Sequence, residues 1–156
     1  MQLAQRLKVA MRESDNVVRW GGEEFLAVAH CTDRARAEEL AERLRASVAD
    51  APFRLPDGRP LAMSCSIGHA CWPFMPSHPQ ALDWLAVVNL ADVGLLTAKR
   101  LGRNAWVGLQ ATAKSQPEGL AARVASAPQQ ALRLGEMAVT SSHAVPSAVA
   151  QAMVAR

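Results

Sequence analysis

A chain of 156 residues, half of them apolar and a fifth charged, can bury one core and carry a tail, and it is too apolar to stay disordered throughout. Its formal charge of +3 is not gathered into a polybasic stripe, which excludes a clustered nucleic-acid footprint. The longest apolar stretch, residues 82–98, is interrupted by Asp83, Asn89 and Asp92, so it falls short of the roughly 20 uninterrupted apolar residues of a membrane span.

Residues 2–13 place Leu3, Leu7, Ala10 and Met11 on a helical stripe. With Arg6 and Lys8 inside it, the N-terminus lacks the apolar core of a signal peptide, and a cytosolic setting is expected. Asn16 to Trp20 and Phe25 to His30 are β-prone and flank Gly21-Gly22, a pair tolerant of positive φ, which predicts a hairpin. Thr32 and Asp33 are N-cap types ahead of Ala37, Leu40, Ala41, Leu44 and Val48 at helical spacing, so a helix of about four turns follows. Its run of Arg34, Glu38, Glu39, Glu42 and Arg45 needs no more than a solvated face with i,i+4 pairs.

Phe53 to Arg54 and Leu61 to Trp72 flank Pro56-Asp57-Gly58 and predict two further extended segments. A Pro- and His-containing loop over residues 73–81 ends them. Leu85, Val88, Ala91, Leu95 and Ala98 then recur at helical spacing up to Gly102, a natural stop, and Ala105 to Leu109 is a last short strand. From residue 110 on, 13 alanines in 47 residues and no aromatic side chain predict a flexible tail, with helix only around residues 118–126 and 144–156. The expected domain is therefore 1–109, with 110–156 as tail. The order helix, hairpin, helix, paired strands, helix, strand indicates an α+β fold with an antiparallel sheet and packed helices.

Cys31, Cys65 and Cys71 form no CxxC pair and have no histidine at zinc-finger spacing, so reduced, core-filling thiols are expected. His30, His69, His78 and His143 likewise show no metal or catalytic spacing. Gly21-Gly22-Glu23-Glu24-Phe25 carries more chemistry. A turn of two glycines lets backbone approach a bulky phosphorylated ligand, and adjacent carboxylates at its edge are hard oxygen ligands suited to Mg²⁺. A plain hairpin with exposed acids accounts for these five residues equally well.

Other positions tilt the balance. Gly21 to Phe25 match the GGEEF form of the GGDEF signature. Arg12-Glu13-Ser14-Asp15 ends five residues before Gly21 and resembles that family's RxxD product-inhibition site, although an i,i+3 surface ion pair would look the same. Ser64 to Gly68 resembles the family's S-I-G strand. Ala91-Asp92, Ala98-Lys99, Gly102, Arg103 and Asn104 resemble its closing pattern, with Gly94 and Leu96 standing where the family usually has Ala and Tyr. The chain thus resembles, over residues 1–109, the later part of the GGDEF domain of diguanylate cyclases.

That resemblance implies a nucleotidyl-cyclase-like fold with a ferredoxin-like core, lacking at its N-terminus the family's first strand and its D-x-D-x-F-K pattern. It implies condensation of two GTP into cyclic di-GMP by a homodimer with Mg²⁺ or Mn²⁺ as cofactor. Glu23 would be the metal ligand and Glu24 a neighbouring catalytic acid. Gly21, Gly22, Lys99 and Arg103 would bind substrate, the two cations sharing a helix face, and Arg12 and Asp15 would bind product. Without the first strand, the chain alone is expected to be marginally folded and inactive. Competing readings are a catalytically idle cyclic di-GMP receptor using Arg12 and Asp15, and a structural domain with no ligand. The setting is cytoplasmic, within a longer membrane-anchored sensor in one version.

Overall fold

The computed structural model describes residues 2–142 and Met153. The chain divides into two compact units, Met1–Cys65 and Ser66–Arg156.

The first unit opens with α1 (Gln2–Val9). The helix stops short of the expected residue 13 because Asp15 offers the backbone an alternative. Its carboxylate accepts the Arg12 N–H at 3.0 Å, a local bond that turns the chain out of the helix. Next come β1 (Asn16–Gly21) and β2 (Glu24–Val28), paired antiparallel as Asn16 with Val28 and Arg19 with Phe25. The helix α2 (Arg34–Ala49) starts at Asp33, whose side chain accepts the Arg36 N–H, and buries Ala41, Leu44 and Val48. Two arginines fasten the helix pair. The Arg43 Nε–H donates to the Ala10 carbonyl at 2.8 Å. The Arg6 guanidinium donates to the carbonyls of Ser47, Ala51 and Pro52 at the end of α2 and lies 3.8 Å over the Phe53 ring. A two-residue ladder of β3 (Phe53–Arg54) and β4 (Pro60–Leu61) closes the unit. Burial pushes the Cys65 thiol up to about 11, whereas Cys31, also expected to fill a core, is exposed.

In the second unit, β5 (Ile67–Ala70) leads through α3 (Trp84–Arg100) to β6 (Trp106–Ala111), which runs parallel to β5. A helical crossover is what makes parallel pairing possible. The α+β assignment holds, with this sheet mixed rather than purely antiparallel. Strand β5 and helix α3 meet backbone to backbone: a Cβ on Gly68 would lie 1.8 Å from the Ala91 carbonyl oxygen, and one on Gly94 would lie 2.7 Å from that of Val107.

The expected flexible tail is corrected for its described part. Residues 112–142 continue into α4 (Leu120–Ser126), α5 (Pro128–Arg133) and β7 (Met137–Ser141), and β7 pairs antiparallel with the free side of β6. The segment is too alanine-rich to make a core of its own, but it completes one. Leu120, Val124, Ala131, Met137 and Met153 are buried together with Phe74, Met75, Leu82, Leu90 and Leu109. Glu136 is buried with them and takes a two-pronged bond from Arg123, at 3.0 Å from Nε and 2.8 Å from Nη2. The helix expected around 118–126 is α4; of the one expected over 144–156, all but Met153 lies outside the described residues. No helix of the described residues is long and apolar enough to cross a membrane.

Candidate functional site

The hairpin tip is built by its register. Arg19 faces Phe25, and after a bulge Gly21 faces Glu24, which leaves Gly22 and Glu23 as the turn. Gly22 has φ +32, and a Cβ added to Gly21 or Gly22 would meet nothing within 4 Å. The turn therefore needs glycine for conformation at Gly22 and leaves the surface of the tip bare. Glu23 and Glu24 are both exposed there, side by side. Their turn is braced by a residue that motif reading passed over. Arg19 donates from Nε at 2.9 Å and from Nη2 at 2.6 Å to the Gly22 carbonyl oxygen. An arginine three residues before the second turn glycine was the available signal.

The other end of the hairpin carries Arg12 and Asp15. Asp15 is half-buried, and its two carboxylate oxygens accept the backbone N–H groups of Arg12 at 3.0 Å and His30 at 3.1 Å. The Arg12 backbone bond, helped by that of His30 and by the charges of Arg12 and His30, holds the carboxyl below the usual range. Asn16 Nδ2 lies 3.3 Å from His30 Nε2 beside it. The Asp15 carboxylate thus ties the chain entering β1 to the chain leaving β2, a role that the i,i+3 ion-pair reading did not anticipate.

Lys99 and Arg103 belong to the second unit, and the expectation that they share a helix face is corrected. Helix α3 ends at Arg100 with Leu101 as its cap. Gly102 at φ +107 and Arg103 at φ +66 turn left-handed, and the Arg103 N–H bonds back to the Ala98 carbonyl at 3.1 Å. That is a Schellman turn, in which glycine at the reversal ends the helix. Lys99 therefore sits in the last turn and Arg103 beyond it, both at the helix end where the dipole favours cations.

Among the described residues no three His, Cys, Asp or Glu side chains gather into a metal-binding group. The two carboxylates at the hairpin tip remain, and that donor set fits Mg²⁺ in a particular way. Mg²⁺ keeps several waters and is commonly held by one or two carboxylates together with substrate phosphates, not by an all-protein cage.

Residues 1–105 match the family model described as diguanylate cyclase, GGDEF domain. Among curated proteins, the chain is 38% identical over 108 residues to the response regulator PleD of Caulobacter vibrioides, covering 69% of this chain and 23% of that protein. It is 35% identical over 102 residues to the diguanylate cyclase DgcP of Pseudomonas aeruginosa, covering 65% of this chain and 14% of DgcP. The chain spans about a quarter or less of the length of these relatives. Among solved structures it resembles the GGDEF domain of YfiN (TpbB) from P. aeruginosa, with a TM-score of 0.56 and 34% identity over 66% of this chain and 61% of that one. It also resembles the diguanylate cyclase SiaD of P. aeruginosa, solved with its activator SiaC, with a TM-score of 0.54 and 33% identity over 65% of this chain and 36% of that one.

Proposed function

Because the chain belongs to the diguanylate cyclase GGDEF family, we propose that it handles GTP and cyclic di-GMP, as part of an enzyme that condenses two GTP into one cyclic di-GMP and two pyrophosphates. In that reaction two copies face one another, and the 3′-hydroxyl of each nucleotide attacks the α-phosphate held by the partner. The observation that carries the reading is the bare two-glycine tip with Glu23 and Glu24 exposed beside it.

In this reading Gly21 and Gly22 let the nucleotide approach the backbone, and Glu23 is the carboxylate that holds Mg²⁺, with Glu24 as the neighbouring acid. Mg²⁺, when bound, offsets negative charge on the phosphates. In the second unit, taken by itself, the family's closing pattern makes Lys99 and Arg103 the candidates for phosphate contact through their positive charge. Arg12 and Asp15 bind product at the hairpin base, with guanidinium for its phosphate oxygens. Such a module works on the cytoplasmic side, where GTP is available.

Separate calorimetric titrations of Mg²⁺·GTP and cyclic di-GMP test the proposal. Both ligands should bind, Glu23→Gln should weaken Mg²⁺·GTP alone, and Arg12→Ala should weaken cyclic di-GMP alone. Binding of cyclic di-GMP without GTP would instead make the chain a receptor, and binding of neither would leave it a structural domain.

A further inference from the structure

The brace inside the hairpin has a chemical consequence that the motif residues do not convey. We infer that Arg19 is a positioning residue: by holding the Gly22 carbonyl, it aims the Glu23 backbone N–H and side chain at the ligand bound over the hairpin tip. The inference rests on the nucleotide reading above and deepens it.

The six atoms of a peptide unit are planar and, in the trans form, the carbonyl and the following N–H point in opposite directions. The peptide joining Gly22 to Glu23 is trans, since Trp72-Pro73 is the cis bond among the described residues. Fixing the Gly22 oxygen therefore fixes where the Glu23 N–H points. Arg19 does the fixing with two donors on one oxygen, Nε at 2.9 Å and Nη2 at 2.6 Å. Two bonds from a rigid planar fork restrain both distance and direction, which a flexible ammonium cannot do.

The neighbourhood shows why a brace is useful here. Gly22 at φ +32 has no side chain to restrict it, and a Cβ added to either glycine would meet nothing within 4 Å. A two-glycine turn in open space has the largest backbone freedom available to a chain. The bulge between Arg19 and Gly21 shifts the ladder just below the tip, leaving Gly21 opposite Glu24 as the one pair above it, so the turn rests on a short length of pairing. With the carbonyl held by Arg19, the Glu23 N–H faces away from the guanidinium as a ready donor to an anionic oxygen. The Glu23 carboxylate also starts from a fixed peptide plane.

The test uses the 156-residue chain with the substitutions Arg19→Ala and Arg19→Lys. In metal-free and nucleotide-free protein, NMR should show a slowly exchanging Arg19 Nε–H, and the Glu23 amide should become more mobile on the nanosecond scale in both variants. In calorimetry, Arg19→Ala should weaken Mg²⁺·GTP about ten-fold, the loss typical of one charge-assisted bond. Arg19→Lys keeps the charge but not the fork and should not restore affinity. Cyclic di-GMP affinity should stay unchanged, which separates loss of aim from loss of fold. If the wild-type chain binds Mg²⁺·GTP and Arg19→Ala binds it equally, or Arg19→Lys restores it fully, the positioning role is overturned while the nucleotide reading stands. If the wild-type chain shows the protected Nε–H and does not bind Mg²⁺·GTP, the nucleotide reading falls and takes the positioning role with it.

Discussion

At Gly94 two residue-level effects oppose each other, and their magnitudes decide the outcome. In an open helix, Gly→Ala gains about 1 kcal/mol. Here the added methyl would sit 2.7 Å from the Val107 carbonyl oxygen and 3.2 Å from the Gly68 Cα, both backbone atoms. Overpacking against backbone costs typically 1–3 kcal/mol, so Gly94→Ala should lower stability in urea unfolding by about 1 kcal/mol net, and Gly68→Ala, with its Cβ at 1.8 Å from Ala91 O, by considerably more. The sequence shows Gly94 only as a weak point in a helix, because a close approach between β5 and α3 is a tertiary fact with no local signature. Asp15 carries a pH dependence of definite sign. Its carboxyl is held low in the folded chain, so its contribution is present above the unfolded value of about 3.9 and disappears as pH falls through the lower, folded value. Amide shifts of Arg12 and His30 should move together on acidification below about pH 4, and Asp15→Asn should abolish that titration.

Among the elements, those built on a strong local period were readable. Helix α2 begins at its Asp33 cap and buries the expected Ala41, Leu44 and Val48, and the hairpin turns at its glycines. Elements whose limits depend on partners were not. Residues 61–72 look like one extended run, yet Pro60–Leu61 pairs with β3 while Ile67–Ala70 pairs with β6. The site suffered in the same way at Lys99 and Arg103, where counting four residues implied a shared face that the Gly102 reversal removes. The joint between α1 and α2 is equally invisible to periodicity, since it depends on Arg6 reaching carbonyls at the end of α2 and the Phe53 ring. Losing those bonds and the cation–π contact should cost about 1–2 kcal/mol. Arg6→Ala should therefore lower the urea midpoint, and Arg6→Lys should recover only part of it.

For the whole molecule, the family-matched stretch ends at residue 105 while the fold does not. The later residues look like a tail in sequence because their few apolar side chains satisfy no period by themselves; Leu120, Val124, Ala131 and Met137 gain their meaning only against Phe74, Leu82, Leu90 and Leu109. Deleting residues 112–156 should therefore expose that cluster, seen as strong binding of a hydrophobic dye and loss of the near-ultraviolet tryptophan signal. Cutting the Arg123–Glu136 pair should act in the same direction. Glu136 is buried, and stranding one member of a buried pair costs about 3–5 kcal/mol; since Arg123 is part-exposed at 28%, Arg123→Ala should fall at or below the lower end of that range.

Strand β6 has β5 along one side and β7 along the other, and its sequence is an almost unbroken apolar run. Stripped of β7, such a strand would offer a sticky rim to any neighbouring polypeptide, the usual seed of aggregation. The alanine-rich stretch thus serves as a sheath for the most adhesive backbone in the chain. The amides of β6, from Trp106 to Ala111, should be among the last to exchange with heavy water.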